Sequence, residues 1–540
     1  MLRRALPFAA LVALYVAARL WRLTESCLWF DEIFGVHAAR HAWGEMWRFV
    51  AADLIHPPLF YALLKLWAAA GGESLLWLRL FPVAASVAAV APLLLLAREL
   101  RLTDADARLA LLLAAANGFL LKYAQEVRMY GLLLLLALTS LWLFARYLNA
   151  RTISKRTLLA LFLVNLLLVY THYYGWLVVA SEAGFLAFKA RGRLAPFALT
   201  GVALAACFAP WLAACASAAG VGGGLAENIG WVERPGLSQV AQLFALLQEP
   251  FYFRRSSAEP AASRAGALAG FILITLPVIF TLVRARAGRP DAAEGRDDTA
   301  AEGREEVGDV NLRGGVRVES EPRADAVGFL LFFTLAPLVL AFAASRVLPF
   351  SVWGTRHLIV VAGPYLLLAG LALARLRPAW MKAAALVVLA CWLALAGAAT
   401  ALRREGVYVW CAWEGLAASL AREEGATATA PVNVYAFEDL VAYHLWFALA
   451  DEPRFRVAVV RGLPGLRQDP AYFLPRRFDG VSVADAAALD GPRLWLAFRA
   501  SSLDETRPPL KALAERGYRV GRVHESAARG QRAFLVLVAK

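Results

Sequence analysis

Five short motifs in this sequence combine charged and aromatic residues of the kinds that carry out chemistry. They are Leu28-Trp29-Phe30-Asp31-Glu32, His56-Pro57-Pro58-Leu59-Phe60-Tyr61, the segment from Lys122 to Tyr130 with Glu126 and Arg128, Thr171-His172-Tyr173-Tyr174, and Gly354-Thr355-Arg356-His357. A carboxylate within hydrogen-bond reach of a hydroxyl group can act as a general base. Asp31, flanked by Trp29 and Phe30, is therefore the candidate base.

Phosphate binding is the second chemistry that these motifs indicate. A phosphate that departs in a reaction needs fixed cations, and the planar guanidinium of arginine matches its geometry. Arg128 and Arg356 are the candidate phosphate ligands, with His56 and His357 beside them in the same motifs. The motifs together predict a site that activates a hydroxyl group and binds a phosphate.

The composition places these motifs in a membrane protein. Of the 540 residues, 60% are hydrophobic, a larger fraction than the roughly 45–50% of apolar residues in soluble proteins. The mean hydropathy is +0.55. The formal net charge is +14, but the basic residues lie mostly between apolar runs, so anionic lipid headgroups rather than nucleic acid are the expected partner.

Eleven apolar runs are candidate spans of a multi-pass protein of the inner or plasma membrane. They cover residues 6–23, 75–96, 107–122, 130–148, 157–171, 174–189, 195–216, 265–283, 327–346, 357–374 and 381–402. Arginine and lysine occupy every second connection, which predicts a cytoplasmic N-terminus and an extracytoplasmic C-terminus. All five motifs then lie on outward connections, so the sequence predicts that they meet at the outer face.

The remaining segments complete the predicted architecture. Residues 33–50 and 58–70 are expected to form helices along the membrane interface, and the polar segment 287–323 a disordered cytoplasmic loop. Residues 403–540 read as a small extracytoplasmic α/β domain with strands near 432–437, 456–460, 493–498 and 534–538. Helices are expected at 438–449 and 508–516, the strand order stays open, and a disulfide between Cys27 and Cys411 is one option for two cysteines that both lie outside.

A family resemblance rests on three of the motifs. Trp29 to Glu32, His56 to Tyr61 and Tyr123 to Tyr130 resemble the polyprenyl-phosphate-sugar-dependent glycosyltransferases of the GT-C fold, in the branch of the protein O-mannosyltransferases and the lipid A aminoarabinose transferase. The resemblance covers roughly residues 1–210. It implies a polytopic α-helical membrane protein of GT-C type with about eleven transmembrane helices in residues 1–402, followed by the domain at 403–540.

The resemblance also implies roles for individual residues. Asp31 would be the base of an inverting attack, with Glu32 in support and Glu126 as a second acidic residue of the site. The remaining candidates for substrate binding are His56, Tyr61, Lys122, Arg128, Tyr130, His172, Arg356 and His357. Some members of the GT-C group use a divalent metal, which leaves such a cofactor open for this chain, but no ligand set is evident in the sequence, so no metal ligand is predicted.

Competing interpretations exist for the motifs and for the whole chain. Asp31 and Glu32 could simply begin a helix, Glu126 and Arg128 could form an ordinary salt bridge, and His172 could belong to an interfacial aromatic belt. For the chain, a transporter or lipid flippase is the alternative, as is an O-antigen ligase or polymerase. A transporter should carry ionisable residues at the midplane of its spans, whereas the charges here are expected at one face. The motifs identify neither the sugar, a hexose or a pentose, nor the acceptor, which could be a lipid, a protein or a polysaccharide.

Overall fold

The computed structural model describes most of the chain as helices, with one mixed sheet near the C-terminus. The described residues are 2–219, 230, 232–251, 262–287, 324–402, 409–425, 431–466, 478, 480–528 and 531–540. The loop predicted to be disordered, 287–323, lies outside the described residues except for its first position.

The helices of the first 402 residues follow the apolar runs of the sequence. In chain order they are α1 (Leu2–Leu20), α2 (Phe30–Arg40), α3 (Trp43–Asp53), α4 (Leu59–Gly71), α5 (Leu75–Ala88), α6 (Val90–Glu99), α7 (Asp104–Ala116), α8 (Gly118–Gln125), α9 (Tyr130–Asn149), α10 (Lys155–Thr171), α11 (Gly175–Lys189), α12 (Leu194–Ala219), α13 (Leu237–Gln248), α14 (Arg264–Gly270), α15 (Leu276–Ala287), α16 (Ala324–Val347), α17 (Ala362–Ala374) and α18 (Ala379–Leu402). A π-helical segment, Phe271–Thr275, joins α14 to α15, and a 3-10 helix, Thr355–Val361, leads into α17.

Among the described residues, seven helices are long and apolar enough to cross a membrane, judged by length and composition. All seven coincide with predicted spans. The other four predicted spans coincide with helices that are shorter or interrupted. The chain is therefore a multi-pass membrane protein, and the count of eleven spans stays a prediction.

The span predicted at 107–122 is not continuous. Asn117 ends α7 and caps α8, because its Oδ1 accepts a hydrogen bond from the Leu120 amide at 2.8 Å. Its Nδ2 donates to the Leu247 carbonyl of α13 at 2.8 Å. The side chain thus satisfies backbone groups on two elements, and the short helix α8 directs the following segment, 126–128, toward α2.

The first outer loop also differs from its prediction in one respect. The single helix expected over 33–50 is wrong, because the chain becomes extended at His41 between α2 and α3. Lys65 of α4 binds the free end of α2 by donating to the carbonyls of Ala39 and His41 at 3.1 and 2.7 Å. The helix expected at 58–70 is confirmed as α4.

A ring of polar side chains lies inside the helical bundle. Glu182 of α11 is fully buried and contacts Ser140 of α9 at 2.6 Å and Asn165 of α10 at 2.9 Å. Ser140 and Asn165 are also 2.6 Å apart. The expectation that the charged residues stay at one face is therefore wrong at Glu182, which lies within a predicted span. Three polar groups that bind one another can be buried there at low cost.

The C-terminal part is an α/β unit, as predicted. Its helices are α19 (Ala412–Glu424), α20 (Asp439–Ala448) and α21 (Leu510–Ala514), and its strands are β1 (Val432–Ala436), β2 (Phe455–Arg461), β3 (Ser482–Asp485), β4 (Arg493–Ala500), β5 (Arg519–Ala528) and β6 (Gln531–Ala539). The sheet order is β3-β2-β1-β4-β6-β5. Strand β1 pairs in parallel with β2 and β4, whereas β6 is antiparallel to both β4 and β5.

Two edge strands and one helix of this domain escaped the sequence prediction. β3 and β5 lie at the two edges of the sheet and have mostly exposed or half-exposed residues. Edge strands of this kind lack the apolar run that marks a central strand. α19 packs Trp413, Leu416 and Leu420 into the core, and its mixed polarity hid it in the sequence.

A disulfide joins the C-terminal part to the first outer loop. Cys27 and Cys411 are bonded, with their Cα atoms 5.3 Å apart, so the option left open by the sequence is realised. α20 also packs against α2, where the ring of Phe30 lies edge-on to Tyr443 at 4.8 Å between centroids. Both contacts fix the sheet domain beside the motif that contains Asp31.

Candidate active site

Asp31 is the second residue of α2, two positions after the N-cap residue Trp29. Its side chain keeps 19% of its surface exposed, as does that of Arg356, whereas the Arg128 side chain is 2% exposed. The carboxylate Oδ2 is 3.4 Å from Nη1 of Arg356 and 4.0 Å from Nη2 of Arg128. Asp31 is therefore an accessible carboxylate with two guanidinium groups beside it.

Glu32, the next residue, is buried and its oxygens are occupied by the protein itself. Oε2 accepts a hydrogen bond from the Trp29 amide at 3.0 Å, and Oε1 accepts one from the Val127 amide at 2.8 Å. Arg79 of α5 lies 3.6 Å from the same carboxylate. Burial raises the pKa of Glu32, and the charge of Arg79 opposes that shift. The two predicted acids thus differ, since Glu32 joins α2 to the segment 126–128 while Asp31 faces outward from it.

The helix-cap interpretation of this pair is correct for one residue only. Glu32 makes the reciprocal contact of a capping residue with the start of α2. Asp31 makes no such contact within the described part of the chain, and its carboxylate lies beside the two arginines instead.

Arg128 connects the motif after α8 to two other motifs. Its Nη1 donates to the Asp31 carbonyl at 3.0 Å, and its Nη2 lies 3.3 Å from Nε2 of His56. The side chain is 2% exposed. A buried guanidinium that can still donate is the kind of group that binds an anion strongly.

Glu126 and Lys122 form a pair on the same short helix turn. Lys122 Nζ is 3.1 Å from Glu126 Oε1, so the ordinary salt-bridge interpretation applies to Glu126 with Lys122, not with Arg128. The other oxygen, Glu126 Oε2, is buried and makes no hydrogen bond within the described part of the chain. Glu126 therefore keeps one acceptor oxygen inside the site.

Two tyrosines complete the predicted set. Tyr61 of α4 and Tyr130 of α9 are fully buried, and neither hydroxyl has a hydrogen-bond partner among the described residues. The ring of Tyr130 lies 6.2 Å from that of His357, and the ring of Tyr61 lies 5.9 Å from that of Phe34 in α2. Burial raises the pKa of Tyr61, so its hydroxyl is a hydrogen-bond donor at neutral pH.

Three histidines from three distant motifs form a cluster next to Arg128. One ring nitrogen from each of His56, His172 and His357 lies within 4.8 Å of the others. Burial, followed by the charge of Arg128, lowers the pKa of His172 to about 3 and that of His56 well below its ordinary value. These two imidazoles are therefore neutral, the form in which histidine binds metals.

Each of the three histidines has one ring nitrogen that could still bind a ligand. His56 Nδ1, His172 Nε2 and His357 Nε2 are buried and lack hydrogen-bond partners in the described residues. Nδ1 of His172 accepts from the Tyr174 amide at 3.0 Å, so in the neutral ring Nε2 carries the proton and is a buried hydrogen-bond donor. The sequence prediction of no metal ligand set missed this group, since residues 56, 172 and 357 show no spacing that would reveal it.

All eleven predicted site residues thus lie in one connected cluster at one end of the bundle. Residues that the sequence did not single out also belong to it. Asp53 of α3 lies 3.9 Å from His56 Nδ1, and Arg79 holds Glu32 while donating to the Leu23 carbonyl at 2.6 Å. Asp53 and Arg79 carried no sequence signal beyond their charge.

Comparison with known proteins gives structural neighbours but no sequence relatives. No family model and no curated protein matches the chain. ArnT from Cupriavidus metallidurans, in its apo state and bound to undecaprenyl phosphate, has TM-scores of 0.53 and 0.52 at 12% identity, over 98% of this chain and 97% of that one. The oligosaccharyltransferase of Archaeoglobus fulgidus, tethered with an acceptor peptide, has a TM-score of 0.48 at 14% identity.

The coverage differs between these neighbours. The match to the oligosaccharyltransferase includes 82% of this chain but only 63% of that protein. The match to ArnT extends over nearly the full length of both chains, including the C-terminal sheet domain. The chain therefore has the fold of ArnT, which confirms the predicted GT-C fold.

Proposed function

We propose that this chain is a membrane glycosyltransferase that moves a sugar from a polyprenyl-phosphate donor to the hydroxyl of an extracytoplasmic acceptor. The observation that carries the proposal is the accessible carboxylate of Asp31 beside two guanidinium groups, at 3.4 Å from Arg356 and 4.0 Å from Arg128. A base and two phosphate-binding cations are the groups that such a transfer needs.

The reaction follows from this arrangement. The acceptor oxygen forms a bond to the anomeric carbon while its proton passes to Asp31. The bond between that carbon and the phosphate oxygen breaks on the opposite face of the sugar, so the configuration inverts. The negative charge that grows on the leaving polyprenyl phosphate is stabilised by Arg128 and Arg356, which are fixed in place before the reaction begins.

The other acids have supporting roles in this proposal. Glu32 positions the base, because its contacts with the Trp29 and Val127 amides fix the start of α2 against the segment that carries Arg128. Glu126 offers its unpaired oxygen to a sugar hydroxyl, while Lys122 neutralises the rest of its charge.

A lipid-linked donor is supported by an apolar pocket near the site. The pocket has a volume of about 510 Å³ and is lined by Trp47, Tyr170, Pro210 and Trp211 together with three alanines, Arg48 and Ser217. Trp211 donates to the Tyr173 hydroxyl at 3.1 Å, which connects the pocket wall to the motif of His172. The similar ArnT structure is bound to undecaprenyl phosphate, and a polyprenyl phosphate is the donor carrier that we assign to this chain.

Two observations favour an extracytoplasmic orientation of the site. The basic residues of the alternate connections favour a cytoplasmic side opposite to the motifs. The Cys27–Cys411 disulfide lies on the same side as Asp31, and disulfides persist in oxidising compartments. We assign the catalytic face and residues 403–540 to the extracytoplasmic side on these grounds.

A divalent metal ion fits the histidine cluster. One ring nitrogen from each of the three histidines lies within 4.8 Å of the others, a spacing that suits zinc or a similar ion. To act as a ligand through Nε2, His172 would have to give up the Nε2 proton or turn its ring over, because its Nδ1 accepts from the Tyr174 amide. His56, His172 and His357 would hold it, and a bound ion would add positive charge next to the donor phosphate. Arg128 lies 3.3 Å from His56, and its positive charge opposes metal binding, so an anionic phosphate beside both groups would favour it.

A transporter or flippase would need an ionisable residue within its membrane spans. Glu182 is such a residue, because it lies within a predicted span. Its carboxyl forms a closed ring with Ser140 and Asn165. A closed ring leaves no open ligand position for a transported ion, whereas the outer-face cluster contains several unpaired donors and acceptors. The arrangement of polar groups therefore favours the transferase.

Mass spectrometry of surface glycans in a deletion strain tests the proposed function. The proposal predicts the loss of one sugar substituent, and the product that lacks it identifies the sugar and the acceptor. Purified protein should also bind undecaprenyl phosphate. An unchanged glycan profile together with no binding of that lipid would contradict the proposal.

A further inference from the structure

Tyr443 is a buried residue of the sheet domain that reaches the candidate active site. It lies on α20, is fully buried, and contacts Phe30 edge-on at 4.8 Å between ring centroids. Phe478 stacks on its other side at 4.4 Å. Since Phe30 directly precedes Asp31, the Tyr443 ring forms part of the wall beside the candidate base.

The hydroxyl of Tyr443 has no hydrogen-bond partner within the part of the chain that the structure describes. Burial, with the nearby charges of Asp53 and Asp31, raises the pKa of Tyr443 well above its ordinary value. The group is therefore a protonated phenol. An unpaired buried hydroxyl is unfavourable, and a functional role or a bound partner is the kind of explanation that such a group requires.

Tyr443 is one of several buried donors near Asp31 that lack a hydrogen-bond partner among the described residues. The hydroxyl of Tyr61 and the indole Nε1 of Trp29 are also buried without a hydrogen-bond partner among the described residues. The charge of Arg128 acts on Tyr61, followed by the charges of Asp53 and Asp31, which also act on Tyr443. Three donors of this kind, from α4, from the start of α2 and from the sheet domain, can bind the oxygens of a polar molecule placed over Asp31.

The surroundings of Tyr443 indicate which of the two substrates its hydroxyl would bind, the acceptor substrate or the lipid-linked sugar donor. The cationic side, with Arg128, Arg356 and the histidines, suits a phosphate. Tyr443 instead lies among the aromatic rings of Phe30, Phe478 and Trp446. Uncharged hydroxyls with apolar C–H faces suit aromatic walls and phenol donors.

We propose that the hydroxyl of Tyr443 binds the acceptor, an uncharged hydroxyl-bearing group such as a saccharide ring, and holds it over Asp31. The inference rests on the proposed function and extends it, because it gives the sheet domain a part in the active site. The Cys27–Cys411 disulfide and the contact of α20 with α2 keep that part in place.

The test compares Tyr443→Phe with Tyr518→Phe. Phenylalanine keeps the ring contacts of Tyr443 and removes only the unpaired hydroxyl. Tyr518 belongs to the same domain and is also buried, but its hydroxyl donates to the Gly491 carbonyl at 2.9 Å. Membranes of the deletion strain serve as the acceptor, a lipid extract of that strain as the donor, and undecaprenyl phosphate as the probe for donor-side binding.

Tyr443→Phe is expected to raise the half-saturating amount of acceptor membranes by about three- to tenfold, the equivalent of one hydrogen bond. Binding of undecaprenyl phosphate and the thermal midpoint should stay unchanged, or the midpoint should rise. Tyr518→Phe should lower the midpoint and leave the acceptor dependence unchanged. An unchanged acceptor dependence in Tyr443→Phe, or weaker undecaprenyl phosphate binding in its place, would overturn the inference. A wild-type protein that neither binds the lipid nor transfers sugar would overturn the proposed function itself.

Discussion

Oδ2 of Asp31 and Nη1 of Arg356 lie 3.4 Å apart, although the two residues come from opposite ends of the helical part of the chain. Asp31 is in the first turn of α2, and Arg356 is in the 3-10 helix that precedes α17. The candidate base and a candidate phosphate ligand are therefore held together before any substrate binds.

Arg356→Ala should weaken binding of undecaprenyl phosphate. A hydrogen bond to a charged group contributes about 1.5–3 kcal/mol, so we expect the dissociation constant to rise by about 10- to 100-fold. Lipid binding can be followed by the shift of the thermal midpoint with undecaprenyl phosphate concentration. Arg456→Ala, which changes an exposed arginine of β2, is the matched control. An unchanged dissociation constant in Arg356→Ala would exclude Arg356 from phosphate binding.

Glu32→Gln should destabilise the site and slow transfer. The carboxylate accepts from two backbone amides and faces Arg79, and an amide cannot accept from both. We expect a loss of about 1–3 kcal/mol in unfolding free energy, measured by denaturation in detergent. Glu73→Gln removes an exposed acid that pairs with Arg40 and should cost less than about 1 kcal/mol. Equal stability of the two variants would argue against the positioning role.

The sequence predicted the convergence of these residues because each motif adjoins an apolar run, and the positive-inside pattern placed all of them on one side. It could not predict which carboxylate is accessible. Asp31 and Glu32 are neighbours in sequence, and only the helix start at Phe30 directs one outward and the other to the Val127 amide. Nor could it predict the contribution of Tyr443, which depends on how the sheet domain packs against α2.

The histidine cluster should bind one divalent transition-metal ion, measured by elemental analysis and zinc titration of protein purified without a polyhistidine tag. Changes that only disturb the orientation of a ligand already weaken metal binding by about 10- to 100-fold, so His172→Ala should lose at least about tenfold in affinity. His444→Ala is the control, since His444 is a buried histidine of the sheet domain that contacts the Leu440 carbonyl at 2.8 Å. Metal binding that His172→Ala leaves unchanged would place the ion elsewhere.

Glu182 should be replaceable by glutamine but not by leucine. The single hydroxyl hydrogen of Ser140 cannot serve both Asn165 and Glu182, which lie 2.6 Å from it, so a proton on the carboxyl completes the ring. Glutamine supplies a donor and an acceptor in the same shape, and stability should be kept. Leucine leaves the partners unpaired and should cost about 1–3 kcal/mol, measured by thermal unfolding in detergent. A glutamine variant as unstable as the leucine variant would show that Glu182 is ionised.

Some features were outside the reach of sequence patterns for physical reasons. The interruption at Asn117 arises because one side chain caps α8 and also binds the carbonyl ends of α13, which no local propensity records. The Cys27–Cys411 disulfide was only one option, since two cysteines can pair only where the fold brings their Cα atoms within reach.

The rate of sugar transfer by Asp31→Asn tests the central claim most directly. Asparagine keeps the size of the side chain and removes its ability to take a proton, and a general base contributes about 10²- to 10⁴-fold in rate. The account predicts a loss of that size in the initial rate of transfer from the lipid-linked donor, with undecaprenyl phosphate binding and the thermal midpoint retained. Asp451→Asn, at an exposed position of the sheet domain, should transfer at the wild-type rate. A wild-type rate in Asp31→Asn would contradict the account.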